Sequence, residues 1–304
     1  MTLLVRRSNL CIPINDRARV QRAGFHHADA VTLDLSATAV VPPTLQEDIQ
    51  AAAKGGAEIF VRLSPLQWEA QMASLPVAAL TGVMLSKVES VEQLQQAEKT
   101  IATLEKKQGL DKGHLQWILG IDSARGVWHI RSILAACDRL TQIFLDEKSL
   151  ATDLELVCLA ELDPFDYARG RLVVETTAAS VSLVGMSYPL SVTPVEEAFT
   201  FIHENANKAR NLGLKGVVCP FESWVAPVNQ AFTPTPELVE WNRRVRIAFA
   251  EGVAAGTAAV PLDGKMIDVP VDEWAIVVLE MAQACAQRDE QKRLALLSSG
   301  VEAV

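Results

Sequence analysis

Short apolar runs alternate with longer amphipathic stretches along most of the 304-residue chain. Short apolar runs bounded by polar or glycine residues are typical of buried parallel strands, whereas apolar residues at helical spacing predict the connecting helices. The pattern predicts about eight strands, at Asn9 to Ile14, Ala30 to Leu35, Glu58 to Leu63, Gly82 to Ser86, Leu115 to Ile121, Leu140 to Leu145, Ser180 to Met186 and Gly216 to Cys219.

Helical patterns fill the intervals between these strands. They run over Arg17 to His27, Thr44 to Lys54, Leu66 to Ala73, Val91 to Lys107, Val127 to Cys137, Pro164 to Ala178 and Val195 to Leu212. Regular alternation of strand and helix implies parallel strands joined by right-handed crossovers. About eight such units favour a closed (β/α)8 TIM barrel over an open sheet.

The pattern changes after the last predicted strand. A long helix is predicted from Pro234 to Ala255, with proline at its start. The pair Asp263-Gly264 indicates a tight turn, and a last helix runs from Pro270 to about Leu297. We therefore expect a barrel over residues 1–232 and a C-terminal lid of helices and a hairpin over residues 233–304, covering either its own barrel or a neighbour's.

Composition narrows the possible partners. Hydrophobic residues make up 49% of the chain and charged residues 21%, which is enough apolar material for a large core. The formal net charge is −9 and the chain has no lysine or arginine cluster, which argues against nucleic acid as a binding partner. The five cysteines are isolated, which indicates reduced thiols and not disulfides. No apolar run has the length of a signal peptide or membrane span. We expect a soluble cytoplasmic protein that does not bind membranes.

Asp122 is the first candidate for chemistry, because it follows the apolar run Leu115 to Ile121. The active sites of barrel enzymes lie at the C-terminal ends of the strands. The small residues of Ser123-Ala124-Arg125 would let backbone amides approach a ligand carboxylate. The alternative is that Asp122 only caps the next helix.

Two cations stand at the ends of other predicted strands. The planar guanidinium of Arg62 suits a carboxylate or phosphate ligand, or pairs with a barrel carboxylate such as Asp34. Lys87 is either a Schiff-base nucleophile or a salt-bridge partner. Asp122 with one further carboxylate from the following strand would form a magnesium site.

Several other enzyme classes are excluded by missing patterns. The five histidines fall in predicted helices or a loop, so no zinc or 2-His-1-carboxylate set is formed. The chain contains neither a glycine-rich phosphate loop nor a Gly-x-Ser-x-Gly elbow.

Ordered motifs over nearly the whole length resemble those of the citrate lyase β subunit and its relatives in the HpcH/HpaI aldolase group. The stretches that carry this resemblance are Arg7 to Pro13, Ala28 to Leu35, Val61 to Leu66, Gly82 to Ser90, Leu115 to Gly126, Ala209 to Gly213, Val228 to Pro236 and Asp263 to Asp268. The resemblance implies a barrel whose C-terminal lid closes a neighbouring subunit's site in a homotrimer or hexamer. It also implies carbon–carbon bond cleavage or formation in a hydroxyacyl-coenzyme A thioester or hydroxy acid.

The resemblance also implies roles for individual residues. In the family, a glutamate after strand five and an aspartate after strand six hold Mg²⁺, which stabilises an enolate by Lewis-acid catalysis. Arg62 matches the arginine that binds the acyl or carboxylate end of the substrate, and Asp268 matches a lid carboxylate. We further predict that Arg7 and the segment Ser123-Ala124-Arg125 contact the thioester cofactor.

The chain departs from the family pattern at the barrel mouth. Asp122 replaces the glutamate, and Ser149 stands where the family has its aspartate ligand. Asp146 or Glu147 would then supply the second ligand, and we predict Glu147. An acidic pair of the family is replaced by Ser36 and Ala37. An Ile-His-Pro segment near the thioester is replaced by residues 220–222.

Three functions are compatible with this pattern. The first is an active lyase with a relocated metal site, and the second is a lyase with an altered substrate, with or without coenzyme A. The third is a catalytically degenerate paralogue that acts as a ligand-binding, scaffold or regulatory subunit. We predict the lyase, with the degenerate paralogue as the alternative.

Overall fold

The computed structural model describes residues 4–156, 164–186 and 199–299. Eight parallel strands form one sheet. They are β1 (Ser8–Pro13), β2 (Ala30–Asp34), β3 (Glu58–Leu63), β4 (Gly82–Leu85), β5 (Gln116–Ile121), β6 (Leu140–Leu145), β7 (Ser182–Val184) and β8 (Val217–Cys219).

Helices connect the strands. They are α1 (Arg17–Arg22), α2 (Leu45–Ala53), α3 (Trp68–Ala73), α4 (Val91–Lys107), α5 (Ala124–Leu134), α6 (Glu147–Asp153), α7 (Asp166–Ala178), α8 (Phe199–Asn211) and α9 (Val225–Phe232). Short 3-10 helices cover Ala23–Phe25, Val77–Ala79 and Glu222–Trp224. The sequence pattern predicts seven of the nine α-helices described before residue 233, in the ranges 4–156, 164–186 and 199–232. It misses α6 and α9, which have 7 and 8 residues. The start of the predicted Val195 to Leu212 helix lies outside the described residues.

The sheet closes on itself. Its strands follow the order β7, β6, β5, β4, β3, β2, β1 and β8, so β1 pairs with both β2 and β8. Two backbone hydrogen bonds join the remaining edges: the Lys215 amide donates to the Leu183 carbonyl at 2.7 Å, and the Gly185 amide donates to the Gly216 carbonyl at 2.9 Å. The predicted (β/α)8 barrel is confirmed.

The barrel interior changes from apolar to polar along the strands. Ala30, Phe60, Met84 and Ile118 form a small buried cluster of their own, with Phe144 and Val218 packed against it. Successive side chains of a strand point to opposite faces, so residues two apart share a face. Two residues beyond Phe60, Met84 and Phe144 lie Arg62, Ser86 and Asp146, and Ile118 is followed at the same spacing by Gly120 and Asp122. The apolar layer therefore supports a polar layer at the C-terminal mouth.

The chain divides into two compact units at Phe232/Thr233. Among the described residues, the first contains Arg6–Phe232 with residues 295–299, and the second contains Thr233–Leu294 with residues 4–5. Helix α10 (Pro236–Ala254) starts with Thr235 as its N-cap and Pro236 in its first turn.

A two-stranded hairpin follows α10. Its strands are β9 (Val260–Leu262) and β10 (Lys265–Ile267). Asp263 and Gly264 both have positive φ, +49° and +75°, as a type I′ turn requires. The long helix α11 (Val269–Ser298) ends the described chain, and Val245, Ile267 and Ala275 form the core of the second unit. No helix in the described ranges combines the length and the apolar character needed to cross a bilayer.

Candidate active site at the barrel mouth

Five polar residues stand at the C-terminal ends of adjacent strands. Asp34 and Arg62 lie in β2 and β3 and are register partners, while Ser86, Asp122 and Asp146 follow β4, β5 and β6. Parallel strands bring their C-terminal ends to one rim of the barrel, where the active sites of such folds lie. The strand pattern therefore gathers three carboxylates and one guanidinium at one place.

Arg62 lies between two of these carboxylates. Its Nε donates to the hydroxyl of Ser86 at 3.0 Å. Its two terminal nitrogens lie 3.8 Å from Asp34 Oδ2 and 3.9 Å from Asp146 Oδ2, beyond the range of a direct hydrogen bond. Arg62 thus keeps terminal N–H groups at the mouth that can bind a planar anion such as a carboxylate.

Each of the three carboxylates is fixed by a backbone amide. Asp34 Oδ1 accepts from Ser36 at 2.7 Å, Asp146 Oδ1 accepts from Ser149 at 3.1 Å, and Asp122 Oδ2 accepts from Lys87 at 3.2 Å. One oxygen of each group is held by the fold, which fixes the direction of the other. A site built in this way is preorganised for a cation or a positively charged ligand.

Asp122 does not cap the helix that follows it. The N-cap of α5 is Ser123, whose hydroxyl accepts from the Gly126 amide at 3.1 Å. Burial and, to a smaller extent, the negative charge of Asp146 raise the pKa of Asp122 to about 6, against the opposing hydrogen bond from the Lys87 amide. Asp122 is therefore a buried carboxylate beside another carboxylate, an arrangement that a divalent cation would stabilise in its ionised form.

Lys87 contributes its backbone amide to the site. Its φ of +56° lies in the left-handed region, which is uncommon for a residue with a side chain. The side chain is exposed, so Lys87 lacks the desolvated environment of a Schiff-base nucleophile. Its positive charge nevertheless counters the raised pKa of Asp122.

Cys11 is a mouth residue that the sequence pattern did not identify as functional. Its Sγ lies 4.0 Å from Asp34 Oδ2. Burial, and then the charge of Asp34, raise the pKa of the Cys11 thiol to about 12, so the thiol stays protonated at neutral pH. Its position could have been found from the alternation along β1, because Cys11 lies two residues after Asn9, whose amide oxygen accepts a hydrogen bond from Thr32.

The oxygens fit magnesium better than a transition metal. Among residues 4–156, 164–186 and 199–299, no three histidine, cysteine, aspartate or glutamate side chains are grouped to hold a metal ion. Magnesium commonly takes only one or two protein carboxylates, with water and substrate oxygens completing its shell. Asp122 and Asp146 supply such a pair.

Glu147, predicted as a metal ligand, has a different role. Its two oxygens accept from Arg169 Nε and Nη2 at 2.5 and 2.8 Å, and both residues are buried. It is the first residue of α6 and comes one position after Asp146, so the two side chains do not share a strand face. Its carboxylate is neutralised inside the fold, so Asp146 replaces it as the candidate second ligand.

Arg7, predicted as a cofactor contact, precedes β1 and so lies at the opposite end of the barrel from the mouth. Its Nε and Nη2 donate to the two oxygens of Asp29 at 2.8 and 3.0 Å, and its own amide donates to the same carboxylate. Arg7 is 3% exposed and Asp29 is fully buried. This ion pair serves the fold and not a ligand at the mouth.

The segment after Asp122 is largely occupied by local contacts. The Ser123 hydroxyl caps α5, and the Ala124 amide donates to Asp153 Oδ2 at 2.7 Å. Arg125 is exposed, with a nitrogen 3.9 Å from Glu89. Of these three predicted cofactor contacts, Ala124 and Arg125 are exposed, and Arg125 is the one with a polar side chain in solvent.

Two further segments were singled out by the sequence. After β8, Glu222 pairs with Arg19 at 2.7 Å, and Arg19 also donates to the Pro220 carbonyl at 2.7 Å. In the C-terminal unit, Asp268 Oδ1 accepts from the Val271 amide at 3.3 Å at the start of α11. Asp268 thus fixes one oxygen in a helix cap, and its predicted role as a lid carboxylate stays a prediction.

Residues 7–220 match the family model described as HpcH/HpaI aldolase/citrate lyase. Among curated proteins, the citrate lyase subunit beta of Leuconostoc mesenteroides subsp. cremoris is 25% identical over 289 residues, covering 92% of this chain and 94% of that protein. The match therefore extends through the barrel into the C-terminal unit.

Solved structures agree on the fold. A citrate lyase from Burkholderia xenovorans superposes with a TM-score of 0.73 at 13% identity, covering 95% of this chain and 96% of the other. The CitE protein of Mycobacterium tuberculosis, in complex with magnesium, acetoacetate and coenzyme A, gives a TM-score of 0.64 at 22% identity, covering 92% and 98% of the two chains.

Proposed function

Because the chain belongs to the HpcH/HpaI aldolase/citrate lyase family, we propose that it cleaves or forms a carbon–carbon bond in a hydroxyacyl-coenzyme A thioester or a hydroxy acid. The observation that carries this proposal is the position of Asp122. This carboxylate is buried at the mouth and does not cap α5. It is close enough to Asp146 and Arg62 for their charges to influence its pKa. A polar centre of this kind, above an apolar barrel layer, suits an organic-acid substrate.

Asp122 and Asp146 would hold a magnesium ion. When bound, the ion supplies Lewis-acid stabilisation of the negative charge that develops on substrate oxygen. The second ligand then comes from the first residue after β6, whereas the family pattern has it at the position of Ser149. The relocation keeps an anionic oxygen at the mouth, which magnesium prefers over a neutral hydroxyl.

Arg62 would bind the carboxylate of the keto-acid half of the substrate. In the cleavage direction, the hydroxyl proton leaves and the carbon that bore the hydroxyl becomes a carbonyl. The electron pair of the broken carbon–carbon bond passes to the other fragment as an enolate, which takes up a proton and leaves as the acyl thioester or acid. The charge of Arg62 orients the carboxylate so that the breaking bond has a fixed direction.

The proposed function also includes a role for Asp268 and for the oligomer. Asp268 would serve as a lid carboxylate that orients the substrate or moves a proton, contributed between the subunits of a homotrimer or hexamer. Light scattering of the purified protein tests the assembly. Asp268→Asn tests the residue, since a loss of turnover with organic-acid affinity retained would support a proton-handling role.

Turnover tests the proposed function. The protein is incubated with magnesium and with citryl-, malyl- or citramalyl-coenzyme A, or with the free hydroxy acids, and products are identified by mass spectrometry. We expect a keto acid and an acyl thioester or acid from at least one substrate, and no product from Asp122→Asn. Formation of no keto acid from any substrate by wild-type protein that binds magnesium would contradict a lyase.

A further inference from the structure

We propose that Ser86 is a positioning residue that holds the guanidinium of Arg62 ready for a substrate carboxylate. This inference rests on the proposed role of Arg62 as substrate anchor. It assigns a function to a buried hydroxyl that neither the motif pattern nor the metal site explains.

The contact geometry singles out Ser86. Its hydroxyl accepts from Arg62 Nε at 3.0 Å, and its residue is 4% exposed. The two terminal nitrogens of Arg62 lie 3.8 and 3.9 Å from carboxylates on opposite sides. These separations exceed the usual 2.7 to 3.2 Å of an N–H···O hydrogen bond by about 0.6 Å or more. The bond to Ser86 therefore fixes the guanidinium between two carboxylates and in direct contact with neither.

Without this hydrogen bond, Arg62 would move. An arginine beside two carboxylates gains energy from a direct, charge-assisted hydrogen bond, and both Asp34 and Asp146 are within a short side-chain rotation. Either contact would use the terminal N–H groups that a substrate needs. A contact with Asp146 would also occupy a proposed metal oxygen.

Neighbouring backbone keeps Ser86 in place. A Cβ added to Gly120 in β5 would lie 3.2 Å from both the Cα and the Oγ of Ser86, so glycine leaves the space that this hydroxyl occupies. The next residue, Lys87, turns into the left-handed region and directs its amide to Asp122. The end of β4 therefore holds the anion-binding side chain through Ser86 and the metal carboxylate through Lys87.

A double-mutant cycle tests this role. The dissociation constant for oxaloacetate, in the presence of magnesium, is measured by calorimetry for wild-type protein, Ser86→Ala, Arg62→Ala and the double variant. Loss of a hydrogen bond from a charged donor corresponds to a weakening of binding affinity by about tenfold or more. We expect Ser86→Ala to raise the dissociation constant about tenfold when Arg62 is present, and less than twofold in the Arg62→Ala background.

A matched substitution controls for general effects. Ser64→Ala removes another buried hydroxyl, one residue past β3, and should leave the dissociation constant unchanged. Equal weakening by Ser86→Ala in both backgrounds, or no weakening when Arg62 is present, would overturn the positioning role. An unchanged affinity in Arg62→Ala, or no binding by wild-type protein, would instead overturn the proposed anchor itself.

Discussion

The carboxylate of Asp122 accepts a hydrogen bond from the backbone amide of Lys87 at 3.2 Å. The amide points to the carboxylate because Lys87 adopts a left-handed backbone conformation directly after β4. A non-glycine residue in this conformation carries strain that the surrounding structure must maintain, and such strain clusters at functional sites. The contact joins the ends of two adjacent strands and fixes one oxygen of the buried carboxylate.

The raised pKa of Asp122 predicts a specific pH dependence of stability. The folded pKa of about 6 exceeds the ordinary value of 3.8, so the folded chain binds more protons than the unfolded chain between these values. The contribution of Asp122 to stability is therefore present below pH 3.8 and lost as pH rises through about 6. In magnesium-free buffer, Asp122→Asn should melt at a higher temperature than wild type at pH 7.5, with a smaller difference at pH 4.5. A difference that is equal at both pH values would contradict the raised pKa.

Arg62→Ala should weaken organic-acid binding strongly and leave the fold intact. The side chain is 20% exposed, and Asp34, Asp122 and Asp146 each keep a backbone amide donor when it is removed. We expect at least a tenfold loss of oxaloacetate affinity by calorimetry, since hydrogen bonds to charged groups contribute about 1.5 to 3 kcal/mol. Loss of the cooperative thermal transition would mean that Arg62 is structural.

Glu147→Gln should destabilise the protein and spare magnesium binding. Removing the charge of Glu147 takes its bidentate carboxylate partner from the buried Arg169 guanidinium, and breaking a buried ion pair costs about 3 to 5 kcal/mol. Thermal melts with and without magnesium measure both effects. The melting temperature should fall, while the upward shift on adding magnesium should match that of wild type. Loss of the magnesium shift in a folded Glu147→Gln variant would restore Glu147 as the metal ligand.

Arg7→Ala should likewise act on the fold alone. Its buried ion pair with Asp29 is bidentate, and truncation leaves the Asp29 carboxylate without its guanidinium partner. We expect a loss of about 3 to 5 kcal/mol in chemical denaturation. Affinity for acetyl-coenzyme A, measured under native conditions, should not change. A weakened affinity without a loss of stability would favour the original prediction that Arg7 contacts the cofactor.

The architecture could be predicted because hydrophobic periodicity encodes it directly. The alternation of apolar runs and helical stretches gives the eight strands and the long helices, and Val91–Lys107 begins and ends where its pattern does. Helices α6 and α9 were missed because 7 or 8 residues contain too few turns to establish a period.

The candidate site could be predicted only in part. The position of Asp122 after an apolar run was sufficient to identify it as a candidate metal ligand. The choice between Asp146 and Glu147 as the second ligand requires the end of β6 to be placed to within one residue. Asp146 shares a strand face with Phe144, and Glu147 already belongs to α6. The partner of Glu147 is Arg169 on α7, and a contact over 22 residues cannot be deduced from local pattern. The same holds for Ser86, whose role depends on the position of Arg62 on the neighbouring strand.

The most direct test of the account is to locate the metal. Crystals of the protein are soaked with Mn²⁺, a substitute for Mg²⁺ that scatters anomalously, together with oxaloacetate. We predict an anomalous peak coordinated by Asp122 and Asp146, with the oxaloacetate carboxylate on Arg62. A peak absent from the mouth, or one coordinated elsewhere while Asp122 and Asp146 keep no ligand, would contradict it.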